Sequence, residues 1–80
     1  MSTITELDLT GVVWPLCLLE FKRAFIGLKP SGMIEVLVQD LDVADQLIMI
    51  VGHSENKLIK RQMEGETVRL FIQKNGNEQQ

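Results

Sequence analysis

Met33-Ile34-Glu35-Val36-Leu37-Val38-Gln39 alternates without a break, with Ile34, Val36 and Val38 on one side and Met33, Glu35, Leu37 and Gln39 on the other. Successive side chains of an extended backbone point to opposite faces. A β-branched run in this pattern predicts a strand with one wholly apolar face. Such a face needs a covering layer, and the flanking sequence offers two amphipathic helices.

Upstream, Leu18, Phe21, Phe25 and Leu28 recur at helical spacing, with Cys17 and Ala24 beside the stripe and Lys22 and Arg23 off it. Pro15 suits the first turn of this helix, where a missing N–H costs nothing. Gly27, Pro30 and Gly32 end it and turn the chain. Residues 3–9 read as a short strand before it, with Leu7 and Leu9 on one face, Glu6 and Asp8 on the other, and Gly11 as its stop.

Downstream, Asp42 is a suitable cap for a second helix, and Asp45 falls where the helix dipole favours an acid. Val43, Ala44, Leu47, Ile48 and Val51 form its apolar face, and Gly52 closes it. Residues 57–63 and 67–74 read as two strands joined through Glu64-Gly65-Glu66. Val68, Leu70 and Ile72 alternate there with Arg69, Phe71 and Gln73, giving one buried and one open face.

The order β-α-β-α-β-β predicts an α/β (α+β) two-layer sandwich, a four-stranded mixed sheet with both helices on one face. The first two strands should be parallel, joined by a right-handed crossover. The other sheet face stays partly open and carries Leu37 and Phe71. These are either scattered surface hydrophobes, which are ordinary, or a partner or dimer surface.

Eighty residues make one domain, 1–80, with a thin core. The chain is 45% hydrophobic and 24% charged, ordinary for a globular fold, and its net charge of −3 gives no basic face for nucleic acid. Lys57, Lys60, Arg61, Arg69 and Lys74 cluster late, but Glu55, Glu64 and Glu66 are interspersed with them, as on a mixed solvated surface. One cysteine, Cys17, excludes an intrachain disulfide. Residues 1–8 lack the basic start and apolar run of a signal peptide, and nothing reaches the length of a membrane span. The expected compartment is the cytoplasm. The tail, residues 75–80, is expected to fray.

The stretch Leu7-Asp8-Leu9-Thr10-Gly11-Val12-Val13-Trp14-Pro15-Leu16-Cys17 resembles the opening of TusA/SirA-like sulfur-carrier proteins. That family has a strand ending Leu-Asp, two residues, Gly, two residues, then Cys-Pro-x-Pro at a helix start. Leu7, Asp8, Gly11 and Pro15 match in register, as do Gly32, Asp40, Ala44, Asp45 and the closing hairpin, so the resemblance covers residues 6–74. It implies the fold just described, a place in a sulfur relay, and protein partners, either a desulfurase or a downstream acceptor. No cofactor or metal is implied.

The chain departs from the family where the chemistry lies. Trp14 stands at the sulfur-carrying cysteine position, and Cys17 at that of the second proline. A thiol at a helix N-terminus meets unpaired N–H groups and the positive dipole end, which favour the nucleophilic thiolate. An indole cannot take up sulfur in this way. Cys17, three residues on, would feel the same dipole as a displaced sulfur acceptor, or else packs as an inert small hydrophobe. Trp14 either covers the end of a small core or anchors a partner at the edge where the family docks donors and acceptors, with Pro15 and Gly11 beside it.

The remaining signals are bland. His53 sits near a helix end, far in sequence from Cys17, so no zinc spacing arises. Asp40, Asp42 and Asp45 fail the calcium-loop pattern, because the sixth position from Asp40 is Asp45 and not glycine. Met33, Met49 and Met63 fit as gap-fillers. No nucleophile–base pairing is readable, so no independent catalytic site is expected. Three functions remain: a non-carrier homologue binding or regulating relay partners through the Trp14 edge, a carrier using Cys17, and an assembly module using the open sheet face.

Overall fold

A computed structural model describes residues 4–52 and 56–75. His53, Thr3 and residues 76–80 of the tail lie outside the described residues. The elements are β1 (Thr5–Asp8), α1 (Leu16–Ile26), β2 (Met33–Val38), α2 (Leu41–Gly52), β3 (Lys57–Glu64) and β4 (Thr67–Gln73). The sheet order is β1-β2-β4-β3, with β1 parallel to β2 and the other pairings antiparallel. This is the mixed four-stranded α/β sandwich expected from the alternation at Met33–Val38.

One apolar cluster joins both helices to one face of the sheet. Ile34, Val36 and Val38 of β2 and Val68, Leu70 and Ile72 of β4 are buried against Cys17 and Phe21 of α1 and Ala44, Leu47 and Val51 of α2. Burying a side chain of this size removes about 1.5–3 kcal/mol of unfavourable exposure to water. The core stripe of α1 runs through Cys17 and Phe21, while Leu18, Ala24, Phe25 and Leu28 flank it partly buried. The thiol thus lies on the centre line of that stripe. Phe21 and Phe25 stack with ring centroids 5.3 Å apart.

The cap of α2 differs from the expectation. Asp40, not Asp42, precedes the helix: its carboxylate accepts the Asp42 N–H at 2.9 Å, and its carbonyl accepts the Ala44 N–H at 3.0 Å. Both aspartates suit a cap by composition, and the end of β2 at Val38 decides between them.

Two tight turns depend on left-handed residues. Gly65 has φ +65°, and with Glu66 forms the two-residue loop closing the Glu64–Thr67 pair. Between α1 and β2, the Gly32 N–H returns to the Lys29 carbonyl at 2.8 Å around Pro30 and Ser31. Ser31 takes φ +67°, as the third position of a type II turn requires. Lys74 ties this end of the molecule together. Its N–H donates to the Gly32 carbonyl at 2.8 Å, and its ammonium donates to the Leu28 carbonyl at 2.8 Å, satisfying an acceptor past the end of α1. Asn75 is held too, its N–H donating to Asn56 Oδ1 at 2.7 Å.

The open sheet face is built on charge. Glu35 pairs across strands with Phe71, and Leu37 with Arg69. Arg69 bonds Glu35 and also grips Glu64, with Nε donating to one carboxylate oxygen at 3.1 Å and Nη2 to the other at 2.9 Å. Glu35 is only 8% exposed under this bridge. Leu37 and Phe71 are each half-buried and diagonally separated by the ion pair, and the Lys60 ammonium lies 6.0 Å from the Phe71 ring.

Candidate functional site

The strand–helix connection from Asp8 to Leu16 shapes one end of the molecule. Asp8 accepts two hydrogen bonds from Thr10, from its N–H at 2.9 Å and its hydroxyl at 2.5 Å. The hydroxyl bond first, then the backbone bond, holds the Asp8 carboxyl below its ordinary range. The Val12 N–H then returns to the Leu9 carbonyl at 3.0 Å, and Gly11, at φ +84°, sits in the left-handed third position of that turn. Among the described residues no atom crowds the space a Gly11 Cβ would enter, so the need for glycine there is torsional rather than steric.

The turn delivers Val13, Trp14 and Pro15 to the surface and Cys17 to the core. Trp14 is 44% exposed and Pro15 is exposed at the N-cap of α1, just ahead of the first turn where the sequence puts it. Among the described residues no side-chain hydrogen bond caps this helix start. The Cys17 N–H is taken by the Val13 carbonyl at 3.0 Å. Cys17 itself is 0% exposed and belongs to the hydrophobic cluster. A sulfur in that position cannot meet a partner's thiol without the core opening, so the surroundings of Cys17 are those of an inert packed thiol.

A groove of about 880 Å³ runs beside Trp14. Its floor is the buried Leu9 and Val38, and its walls come from the Gly11–Trp14 turn, the start of α2 and the β3–β4 hairpin. The groove thus lies off the carboxyl ends of the two parallel strands, where open α/β sheets commonly take ligands. Val13 is 65% exposed and Met63 51% exposed on its rim, together with the exposed Leu41. Asp40, Asp42 and Glu66 also line it, and no lysine or arginine does among the described residues.

Trp14, Gly11 and the first turn of α2 therefore belong to one site, whereas Leu37 and Phe71 lie on the open sheet face and do not contribute to it. Met63 and Met49 are exposed and are not core gap-fillers; Met63 is on edge strand β3. The rim residues Val13, Leu41 and Met63 carry no motif that the sequence alone would single out. Among the described residues, no three His, Cys, Asp or Glu side chains are grouped to hold a metal ion, and no helix is long and apolar enough to cross a membrane.

Comparison of the chain with protein-family models, with curated proteins and with solved structures finds no match.

Proposed function

We propose that this chain is a TusA/SirA-like protein of sulfur trafficking that binds or regulates relay partners through its Trp14 edge and does not itself carry sulfur. The observation that carries the reading is the exchange of chemistry at the start of α1: an exposed indole at position 14 and a fully buried thiol at position 17. The motif residues Leu7, Asp8, Gly11 and Pro15 supply the family assignment. On this reading the partners are a cysteine desulfurase or a downstream sulfur acceptor, and the protein works in the cytoplasm. Trp14, flanked by Pro15 and shaped by Gly11, is the docking anchor, since tryptophan buries a large rigid surface at little entropic cost.

Intact-mass analysis after incubation with a cysteine desulfurase and cysteine tests it. The native chain and Cys17→Ser should remain unmodified, and Trp14→Cys should gain one sulfur at the restored position. Sulfur on the native chain that disappears in Cys17→Ser would sink the non-carrier reading and make Cys17 the acceptor.

A further inference from the structure

We infer that the groove beside Trp14 takes a cationic protein segment led by a bulky apolar side chain. The inference rests on the reading that the Trp14 edge docks a partner, but not on that partner belonging to a sulfur relay. Two features of the groove define its occupant. The rim exposes Val13, Trp14, Leu41 and Met63 around a floor of buried Leu9 and Val38, an apolar surface that is stable in contact with another apolar surface. Among the described residues the charges on the lining are all of one sign, from Asp40, Asp42 and Glu66.

Among the described residues no lysine or arginine lines the groove to neutralise these carboxylates, and three of the basic side chains are engaged elsewhere. Arg61 lies against Asp45, Arg69 bridges Glu35 and Glu64, and Lys74 is bonded to the Ile26 and Leu28 carbonyls at the end of α1. The groove mouth therefore carries an unbalanced negative field, which draws cations and repels anions at encounter. The start of α2 opens on the groove, and a helix N-terminus ordinarily attracts phosphate. Here the Asp40 carboxylate already takes the Asp42 N–H at 2.9 Å, and Asp42 adds a second negative charge in the first turn. A nucleotide or other anion would meet carboxylates in place of free N–H groups. A lysine- or arginine-flanked apolar anchor satisfies both the surface and its charge.

Trp14 is the only tryptophan, so its emission reports occupancy directly. The probes are two tryptophan-free synthetic peptides sharing the core Ala-Leu-Phe-Leu, one flanked by lysines and the other by glutamates. The lysine peptide should shift Trp14 emission, bind about tenfold more tightly than the glutamate peptide, and weaken as salt rises from about 50 to about 300 mM. The double variant Asp42→Lys/Glu66→Lys, which leaves the Asp40 cap intact and is checked for fold by circular dichroism, should reverse the preference. Equal binding of both peptides, preference for the glutamate peptide, or no response to either would overturn the inference. The sulfur-loading result is read separately. Loading of Trp14→Cys with no peptide discrimination removes the charge inference alone, and discrimination without loading removes the sulfur relay alone.

Discussion

Trp14 and Cys17 stand three residues apart on opposite sides of the molecular surface: the indole faces solvent beside the groove, and the thiol is sealed between α1 and the sheet. The Val13 carbonyl, bonded to the Cys17 N–H, fixes the short stretch that separates them. An exposed aromatic surface and a sealed thiol are thereby set within a single turn of chain.

Cys17 should resist alkylation in the folded protein. A disulfide reagent such as dithionitrobenzoate should react slowly in buffer and rapidly in denaturant, with the native rate following the opening of the fold. Cys17→Ala should cost about 1–2 kcal/mol, since it removes a fully buried group and leaves a small cavity. Rapid stoichiometric labelling in buffer would show that the α1 start opens readily and would revive Cys17 as an acceptor.

Asp8 gives the site turn a pH dependence of known sign. Its folded carboxyl lies below the ordinary 3.8 because Thr10 bonds the ionised form. The contribution is therefore fully present above the unfolded value and is lost as pH falls through the lower folded value. Urea unfolding from about pH 6 down to about pH 2 should show a steeper fall in stability for the native chain than for Asp8→Asn. An identical pH profile for the two proteins would mean that the turn does not distinguish the ionised from the protonated carboxyl.

Arg69→Ala should destabilise the protein by about 2–4 kcal/mol, because it leaves the nearly buried Glu35 without its cation. A hydrophobic double variant, Glu35→Val/Arg69→Val, should recover most of that loss, since apolar pairs often replace buried ion pairs without cost. Chemical denaturation of Glu35→Val, Arg69→Val and the double variant measures the coupling. Simple additivity would reduce the bridge to a surface ornament and free Leu37 and Phe71 to act as an apolar contact.

The strand at Met33–Val38 was legible because its alternation is unbroken, and both helices because their stripes have the right period. The α2 cap was not, since Asp40 and Asp42 are chemically equivalent and only the backbone path after Val38 selects between them. The centre of the α1 stripe fell on Cys17, where the larger Leu18 and Phe25 had suggested a different orientation. Trp14 was readable as a departure from a motif. The groove beside it was not, because it is assembled from three segments distant in sequence, the Gly11–Trp14 turn, the start of α2 and the β3–β4 hairpin. Met63 looked like a core residue, and only the placement of β3 at the sheet edge exposes it.

The turn before β2 is improvable. Ser31 occupies φ +67°, a conformation that costs a residue with a Cβ about 1 kcal/mol, so Ser31→Gly should stabilise by up to that amount, less the added freedom of glycine in the unfolded chain. Gly32→Ala should do the opposite. A Cβ there would lie 2.8 Å from the Lys29 carbonyl oxygen, and Gly32 also holds Lys74 through its own carbonyl. Thermal unfolding of both variants should move in opposite directions, and a neutral Gly32→Ala would mean that the turn relaxes without cost.

Trp14→Ala separates a structural from a recognition role. An indole that is 44% exposed can contribute only part of the burial of a core aromatic, so its removal should cost about 1 kcal/mol or less. Phe21→Ala, at the centre of the α1 stripe, should cost about 3–5 kcal/mol and approach the whole stability of so small a domain. If Trp14 is an anchor, Trp14→Ala keeps a near-native melting temperature and loses partner capture, because truncating an aromatic hot spot removes about 2 kcal/mol or more of binding. A loss of several kcal/mol in stability would instead make Trp14 the lid of the core, and the groove would then be a by-product of closing the α1 end.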